Sequence, residues 1–254
     1  MKIGFPNHPR KNLIKEIGWI AKNGFDFIDL FLEEDKTTPE KINVGQVKRG
    51  LLKYKLGAVG HLAWYLPIGS SVKSLRTAAC CEAVRYFKIL NQLGVKFVTI
   101  HSNWPNALFF PKEGCNFQIE SLRKLVKEAK KYDLELIYEP IDTPADTVEN
   151  VAFVLEMTPG LSLHLDIGHA NLCGRDPVEF INKFHRRIKH IHLHDNFGKT
   201  DQHLPLGDGS INFSKIISVL KKHYDGTITL EIFTKNKNKV LLSKEILKKL
   251  WNNA

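Results

Sequence analysis

The sequence predicts a single (β/α)₈ TIM barrel that spans residues 1–254 as one domain. Apolar runs of strand length alternate with segments of helical period along the whole chain, which is typical of a parallel sheet covered by helices. Eight such units are present, and eight units close a barrel. With 254 residues and 43% hydrophobic content, the chain is large and apolar enough to bury the core of one such domain.

The eight predicted strands follow one another in chain order, each followed by a helical segment. They lie at residues 2–5, 25–31, 56–61, 95–101, 134–139, 161–166, 188–194 and 227–232. The longest irregular segments, 102–115 and 195–211, follow the fourth and seventh strands. Barrel enzymes place their chemistry on the face where such loops lie, so we expect active-site loops there.

Glycine and proline mark the ends of the predicted helices. Three glycines stand where helices should give way to strands: Gly24, Gly94 and Gly226. Thr38 with Pro39, and Asp176 with Pro177, are typical of an N-cap residue followed by a proline in the first helical turn. This punctuation supports the count of eight units.

Strand parity predicts which side chains point to the barrel axis. In the seventh strand Ile191 and Leu193 suit the helix layer, and this turns His192 inward. The same alternation places six ionisable side chains at or near the carboxyl ends of strands three to eight: His61, His101, Glu139, Asp166, His192 and Glu231.

Convergence of these groups predicts a metal centre, because bound cations turn carboxylate repulsion and desolvation into coordination energy. Mixed imidazole and carboxylate ligands favour Zn²⁺, with Mn²⁺ or Fe²⁺ as alternatives. Three loop residues extend the ligand set: His169, Asp201 and His203. Nine ligands suffice for two or three ions.

The remaining histidines and cysteines are assigned other roles. His164 and His190 lie deeper in their strands and are expected in the packed barrel interior, whereas the role of His194 stays open. Surface positions are expected for His8, His185 and His223. The cysteines form no C-x-x-C pair and are expected to be ordinary thiols: Cys80, Cys81, Cys115 and Cys173.

The charge of the chain is strongly positive, with a formal net charge of +10. Such a balance favours DNA or a phosphorylated sugar as substrate, although lysine-rich helix surfaces produce it as well. No apolar run reaches the roughly 20 residues of a membrane span, and the start of the chain lacks a signal-peptide core. We expect a soluble, cytoplasmic protein without membrane contact.

Three stretches of sequence carry a family resemblance. They are Leu165-Asp166-Ile167-Gly168-His169-Ala170-Asn171, His192-Leu193-His194-Asp195-Asn196, and Asp201 to Gly209. The chain resembles the xylose-isomerase-like barrel superfamily, which contains sugar isomerases and epimerases and the AP endonucleases of the endonuclease IV type. All nine zinc ligands of the latter have counterparts here, which implies a trinuclear centre in which Glu139 bridges two ions and Glu231 bridges or activates water.

The endonuclease resemblance implies a phosphodiesterase that acts on abasic or damaged DNA, with Glu231 and Glu139 as catalytic residues. Trp64 or Tyr65 would then act as a wedge in the DNA stack, or the two form an aromatic pair that lines a substrate pocket. Trp104, in the loop after the fourth strand, is expected to contact substrate as well.

The alternative is a metal-dependent sugar or sugar-phosphate isomerase or epimerase. The resemblance then implies that four residues bind one ion and that the two glutamates move protons beside a carbonyl: Glu139, Asp166, His192 and Glu231. Ketose epimerases of this fold also use an acidic group and an arginine where this chain has Ala145 and Gly198. This loss, with the retention of Asp201 and His203, favours the hydrolase over the isomerase.

Overall fold

The eight predicted strands pair in parallel and in chain order, and the last strand pairs with the first to close a barrel. The computed structural model describes residues 1–254. Its strands are β1 (Lys2–Pro6), β2 (Phe27–Leu32), β3 (Gly57–Leu62), β4 (Phe97–His101), β5 (Glu135–Glu139), β6 (Ser162–Asp166), β7 (Ile188–Leu193) and β8 (Thr227–Leu230). The single (β/α)₈ barrel is therefore confirmed, and the predicted strand ends are close to those observed.

The helices form the outer layer. They are α1 (Leu13–Lys22), α2 (Val44–Tyr54), α3 (Lys73–Leu93), α4 (Pro111–Lys131), α5 (Val148–Met157), α6 (Ile167–Ala170), α7 (Pro177–Phe184), α8 (Phe213–Leu220) and α9 (Lys237–Asn253). The short α6 is an extra turn directly after β6. At α7 the predicted cap is confirmed, because Asp176 accepts a hydrogen bond from the Val178 amide and Pro177 occupies the first turn. No helix has both the length and the apolar character that crossing a bilayer requires.

The cap predicted at Thr38 and Pro39 is wrong. These residues form a turn, in which the Ile42 amide donates to the Thr38 carbonyl at 3.2 Å. The helix begins later, where the Asn43 side chain accepts a hydrogen bond from the Gln46 amide at 2.9 Å. Asparagine caps at least as well as threonine, so the later cap defines the start of α2.

Two kinds of packing hold the fold together. Between the strands and helices, one continuous apolar core runs from Ile3 in β1 to Trp251 in α9. The barrel interior, in contrast, is unusually polar. His164 and Thr99 are fully buried there and contact each other at 3.0 Å. Buried polar groups need partners, so the interior is built around hydrogen-bonded pairs that lead up to the carboxyl ends of the strands.

Candidate active site

Four titratable side chains meet at the carboxyl ends of β5 to β8, and we call them the central group. Glu139 ends β5, Asp166 ends β6, His192 lies near the end of β7, and Glu231 directly follows β8. Asp166 and His192 are partners in the parallel register, so their side chains stand next to each other on the same face. Sequence parity predicted this inward orientation correctly.

The geometry of the central group fits a divalent cation. His192 Nδ1 lies 2.9 Å from Glu231 Oε2, 3.7 Å from Asp166 Oδ2 and 3.8 Å from Glu139 Oε1. All four side chains are buried, yet Glu139 Oε1 and Asp166 Oδ2 have no hydrogen-bond partner. Buried carboxylate oxygens without partners are costly. Ligands about 2.1 Å from a zinc ion lie roughly 3 to 4 Å apart, which is the spacing found here.

A second cluster, which we call the outer group, lies beside the first. It comprises His169, His194, Asp201 and His203. Asp201 Oδ2 is 2.7 Å from His203 Nε2 and 3.3 Å from His169 Nε2, and Asp201 Oδ1 is 3.4 Å from His194 Nε2. The other ring nitrogen of His169 lies 3.6 Å from Glu139 Oε1. His169 therefore joins the two groups, and His194, whose role the sequence left open, belongs to the outer one.

Three further imidazoles surround the second oxygen of Glu139. His61 Nε2 and His101 Nε2 each lie 3.2 Å from Glu139 Oε2, and His164 Nδ1 lies 3.1 Å from it. The structure thus brings all nine predicted ligands into one contiguous cluster. His164, expected in the packed interior, is buried as expected, but it also contacts Glu139 of the site.

Mutual pairing determines the charges in this cluster. Burial disfavours ionisation of Glu139, but the neighbouring imidazoles, His164 first, outweigh it and hold the pKa of Glu139 well below its ordinary value. Burial lowers the pKa of His203, yet Glu231 and Asp201 overcome this effect and raise that pKa to about 9. Protonated imidazoles therefore balance the negative charge of the carboxylates, a role that a bound divalent cation would otherwise take.

Asp29 in β2 lies under the site and was missed by the sequence analysis. Its Oδ2 is 2.7 Å from His192 Nε2 and 3.3 Å from His190 Nε2, and Thr229 donates a hydrogen bond to the same oxygen at 3.0 Å. Because Nε2 of His192 faces Asp29, Nδ1 is left to face the central group. The available signal was a lone carboxylate within the apolar run Phe27-Ile28-Asp29-Leu30-Phe31-Leu32.

A cleft of about 910 Å³ opens above the cluster. Its floor includes six of the predicted ligands: His61, His101, His169, Asp201, His203 and Glu231. Glu231 is the only central-group residue that reaches the cleft, since Glu139, Asp166 and His192 lie beneath its floor. The walls come largely from the loops that follow β1 and β8.

The three predicted substrate-contacting aromatics occupy different places. Trp64 lines the cleft and is 59% exposed. Tyr65 lies outside the cleft, with its hydroxyl 3.4 Å from the Glu34 amide. Trp104 also lies outside it, because its indole donates a hydrogen bond to buried Asp146 at 3.0 Å. Trp64 is therefore the one of the three that can contact a molecule in the cleft.

A family model described as xylose isomerase-like TIM barrel matches residues 17–250. The chain belongs to this family. The xylose isomerase-like barrel superposes on the crystal structure of a D-tagatose 3-epimerase-like protein with a TM-score of 0.89, at 26% identity over 99% of this chain and 97% of that one. It also shares its fold with the IOLI protein crystallised with a zinc atom, at a TM-score of 0.86, 17% identity, and coverage of 100% and 99%.

Curated relatives of this xylose isomerase-like barrel include uncharacterized protein MJ1311 of Methanocaldococcus jannaschii, 33% identical over 62% of this chain and 57% of that protein. Another is the inosose dehydratase of Clostridium tetani, 28% identical over 48% of each chain. The chain spans about half the length of the curated relatives it matches.

These relatives overturn the main functional prediction. Their names describe a sugar epimerase-like protein and a dehydratase, so the predicted hydrolase that cleaves DNA as an endonuclease IV-like enzyme is wrong. The physical reason is that the same imidazole and carboxylate ligands serve metals in phosphodiester hydrolysis and in carbonyl chemistry. The retention of Asp201 and His203 therefore did not discriminate between the two, and the sugar isomerase or epimerase alternative is favoured.

The cleft of this xylose isomerase-like barrel contains groups that sequence reasoning missed. Neither Ala145 nor Gly198 lines it, so the two positions used against an epimerase do not bear on this cleft. Glu33, after β2, does line it. Burial raises the pKa of Glu33, with His61 opposing and Glu231 adding to the increase. Loop side chains follow no strand parity, and this is why the sequence did not reveal Glu33.

Proposed function

We propose that this protein is a metal-dependent isomerase or epimerase of a sugar, free or phosphorylated, that removes a proton from the carbon next to a carbonyl group. Dehydration of a cyclic polyol ketone begins with the same step and is the second candidate. The names of the relatives support this class of substrate. The observation that carries the proposal is the central group, in which two partnerless carboxylate oxygens face His192 and one carboxylate, Glu231, faces the cleft.

The metal is proposed to be held by Glu139, Asp166, His192 and Glu231. Their mixed nitrogen and oxygen ligands suit Zn²⁺ best, and Mn²⁺ or Fe²⁺ also. When bound, such an ion acts as a Lewis acid that polarises a carbonyl oxygen.

The outer group is proposed to hold a second ion, since Asp201 Oδ1 and His194 Nε2 are buried and have no hydrogen-bond partner. The sequence analysis predicted two or three ions, and the third stays a prediction.

Three glutamates in or beside the cleft have different roles in this proposal. Glu231 is the proton acceptor, because it lines the cleft at the floor. Glu139, predicted as the second catalytic glutamate, lies beneath the floor among three imidazoles, so its role here is to hold the ion. Glu33 lines the cleft with a raised pKa, which favours the neutral carboxyl that returns a proton.

The test is exchange of substrate protons with solvent. The metal-loaded protein is incubated in D₂O with D-tagatose, D-psicose, L-ribulose, D-fructose 6-phosphate and an inosose, and NMR follows deuterium at the carbon next to the carbonyl. We expect exchange with at least one of them and a loss of about 100-fold or more in Glu231→Gln. Asp142→Asn is the control, because Asp142 lines the cleft outside both groups.

Two results would contradict the proposal. One is the absence of exchange on every compound by wild-type protein whose metal content has been verified. The other is Glu231→Gln retaining the wild-type rate. Loss of exchange in Asp142→Asn to the same degree would show that the effect is not specific to Glu231.

A further inference from the structure

We propose that one corner of the cleft is a subsite for a phosphate monoester, formed by Lys11, Lys235 and Lys237. The inference rests on the proposed function for the rest of the substrate, which would be a phosphorylated sugar. It assigns the phosphate to the rim of the cleft, apart from the floor, to which Glu231 of the central group and His169, Asp201 and His203 of the outer group contribute.

The three lysines reach this corner from opposite ends of the chain. Lys11 follows β1, and Lys235 and Lys237 follow β8, with Lys237 as the first residue of α9. β1 and β8 are hydrogen-bonded neighbours in the barrel, so these loops are adjacent. All three lysines line the cleft. In enzymes of this architecture the loops after strands seven and eight commonly bind phosphate, and Lys235 and Lys237 follow β8.

The charge of the corner is not neutralised within the protein. Many surface lysines pair with carboxylates, but Lys11, Lys235 and Lys237 take part in none of the ion pairs. Glu16, which also lines the cleft, is the carboxylate whose charge attracts the Lys237 ammonium group. It also accepts a hydrogen bond from the His8 amide at 3.3 Å. Three ammonium groups against one carboxylate leave two positive charges, which complement a phosphate monoester dianion.

Lys237 is held in place before any ligand arrives. Its ammonium nitrogen lies 4.8 Å from the ring centroid of Phe5 and 4.6 Å from that of Trp19, which is cation–π geometry. Burial lowers the pKa of Lys237, so its ammonium group has lost part of its hydration. A positioned, partly dehydrated cation loses less freedom on binding an anion than a free surface lysine does.

A phosphate held at the rim would help the reaction at the floor. Binding energy from a remote, non-reacting group positions the reacting carbon and so contributes to the rate. A substrate that loses its phosphate should therefore lose turnover as well as affinity.

The experiment compares two charge-matched double variants of the metal-loaded full-length protein. Lys235→Met/Lys237→Met removes two cations from the corner, and methionine at 237 keeps the packing on Phe5. Lys248→Met/Lys249→Met removes two cations from the far end of α9, the helix that Lys237 begins. Isothermal titration calorimetry measures the affinity for inorganic phosphate, and separately for D-fructose 6-phosphate and D-fructose. Thermal denaturation verifies that each variant is folded.

We expect the corner variant to bind inorganic phosphate and D-fructose 6-phosphate about 10- to 100-fold more weakly, and the far-end variant to stay within about twofold of wild type. D-Fructose should bind both variants equally. If the affinity for phosphate falls equally in the two variants, the effect is general electrostatic attraction. If it falls in neither variant, phosphate binds at the metal instead. Either result overturns the subsite.

The proton-exchange assay separates this inference from the proposed function. Phosphate binding that depends on the corner lysines, without exchange on any sugar, would support the subsite and contradict the proposed function. Exchange on free sugars that matches that on sugar phosphates, unchanged in the corner variant, would support the function and overturn the subsite.

Discussion

Replacement of Asp29 by asparagine should weaken metal binding at the central group although Asp29 is not among the ligands proposed for it. The Asp29 carboxylate is fully buried, and its Oδ2 lies 2.7 Å from His192 Nε2. Burial opposes its ionisation, but His190 and His192 hold the pKa of Asp29 well below its ordinary value. The carboxylate thus keeps a proton on Nε2 of His192 and leaves Nδ1 free to act as a ligand.

The magnitude follows from what Asp29→Asn changes. Asparagine has the same shape and can still accept from His192, but it removes the negative charge. Loss of such a partner of a ligating histidine typically costs about 10- to 100-fold in metal affinity, which corresponds to about 1.4 to 2.7 kcal/mol. We therefore expect the dissociation constant of the central ion to rise by that factor.

The assay is a competition titration of Zn²⁺ between the protein and a chromophoric chelator. Asp146→Asn is the matched control, because Asp146 is an equally buried carboxylate that binds Trp104 instead of a site histidine. Unchanged zinc affinity in folded Asp29→Asn would refute the reasoning. Equal weakening in Asp146→Asn would show that loss of any buried carboxylate suffices.

Three further predictions concern the outer group and its surroundings. Gly168→Ala should lose metal from the outer group but keep the central ion in elemental analysis, because a Cβ there would lie 2.0 Å from the His194 ring. Trp104→Phe should lower the free energy of unfolding by about 1–3 kcal/mol in thermal denaturation, since buried Asp146 loses the indole donor to its Oδ1 and keeps Thr143 on Oδ2, and it should leave proton exchange unchanged. Metal affinity of the outer group should rise with pH and level off above about 9, because His203, with a pKa of about 9, must lose its proton to solvent before it can bind the ion; pH-independent titrations would contradict this.

The fold and the convergence of the candidate ligands were predictable because both depend on local rules. Alternation within a strand is enough to turn His192 and Glu231 toward the axis, and the structure places their side chains 2.9 Å apart. Closure then follows from the number of strand-helix units. Strand ends were less accurate because hydrogen bonding to neighbours, and not hydropathy alone, determines where a strand stops.

The role of Asp29 and the identity of the substrate could not be predicted from the sequence, for a different reason. Asp29 meets His192 across 163 residues, and this contact depends on the stagger of β2 against β7 around the barrel. Trp104 and Tyr65 lie in loops, where no periodicity tells which way a side chain points. The choice between DNA and a sugar depends on the walls of the cleft, whereas the sequence signal came from ligands that both chemistries share.

The seam between β1 and β8 connects ligand binding to the folding of the whole chain. Gly4 pairs with Thr229 across this seam, and the cleft has walls from the loops on both sides of it. A molecule that contacts both loops would therefore stabilise the pairing of the first strand with the last. By mass action, a ligand present at 100 times its dissociation constant adds about 2.7 kcal/mol to the stability of the closed barrel. The cleft is complete only when the last strand pairs with the first, so occupancy of the cleft would slow hydrogen exchange at the amides of these two strands.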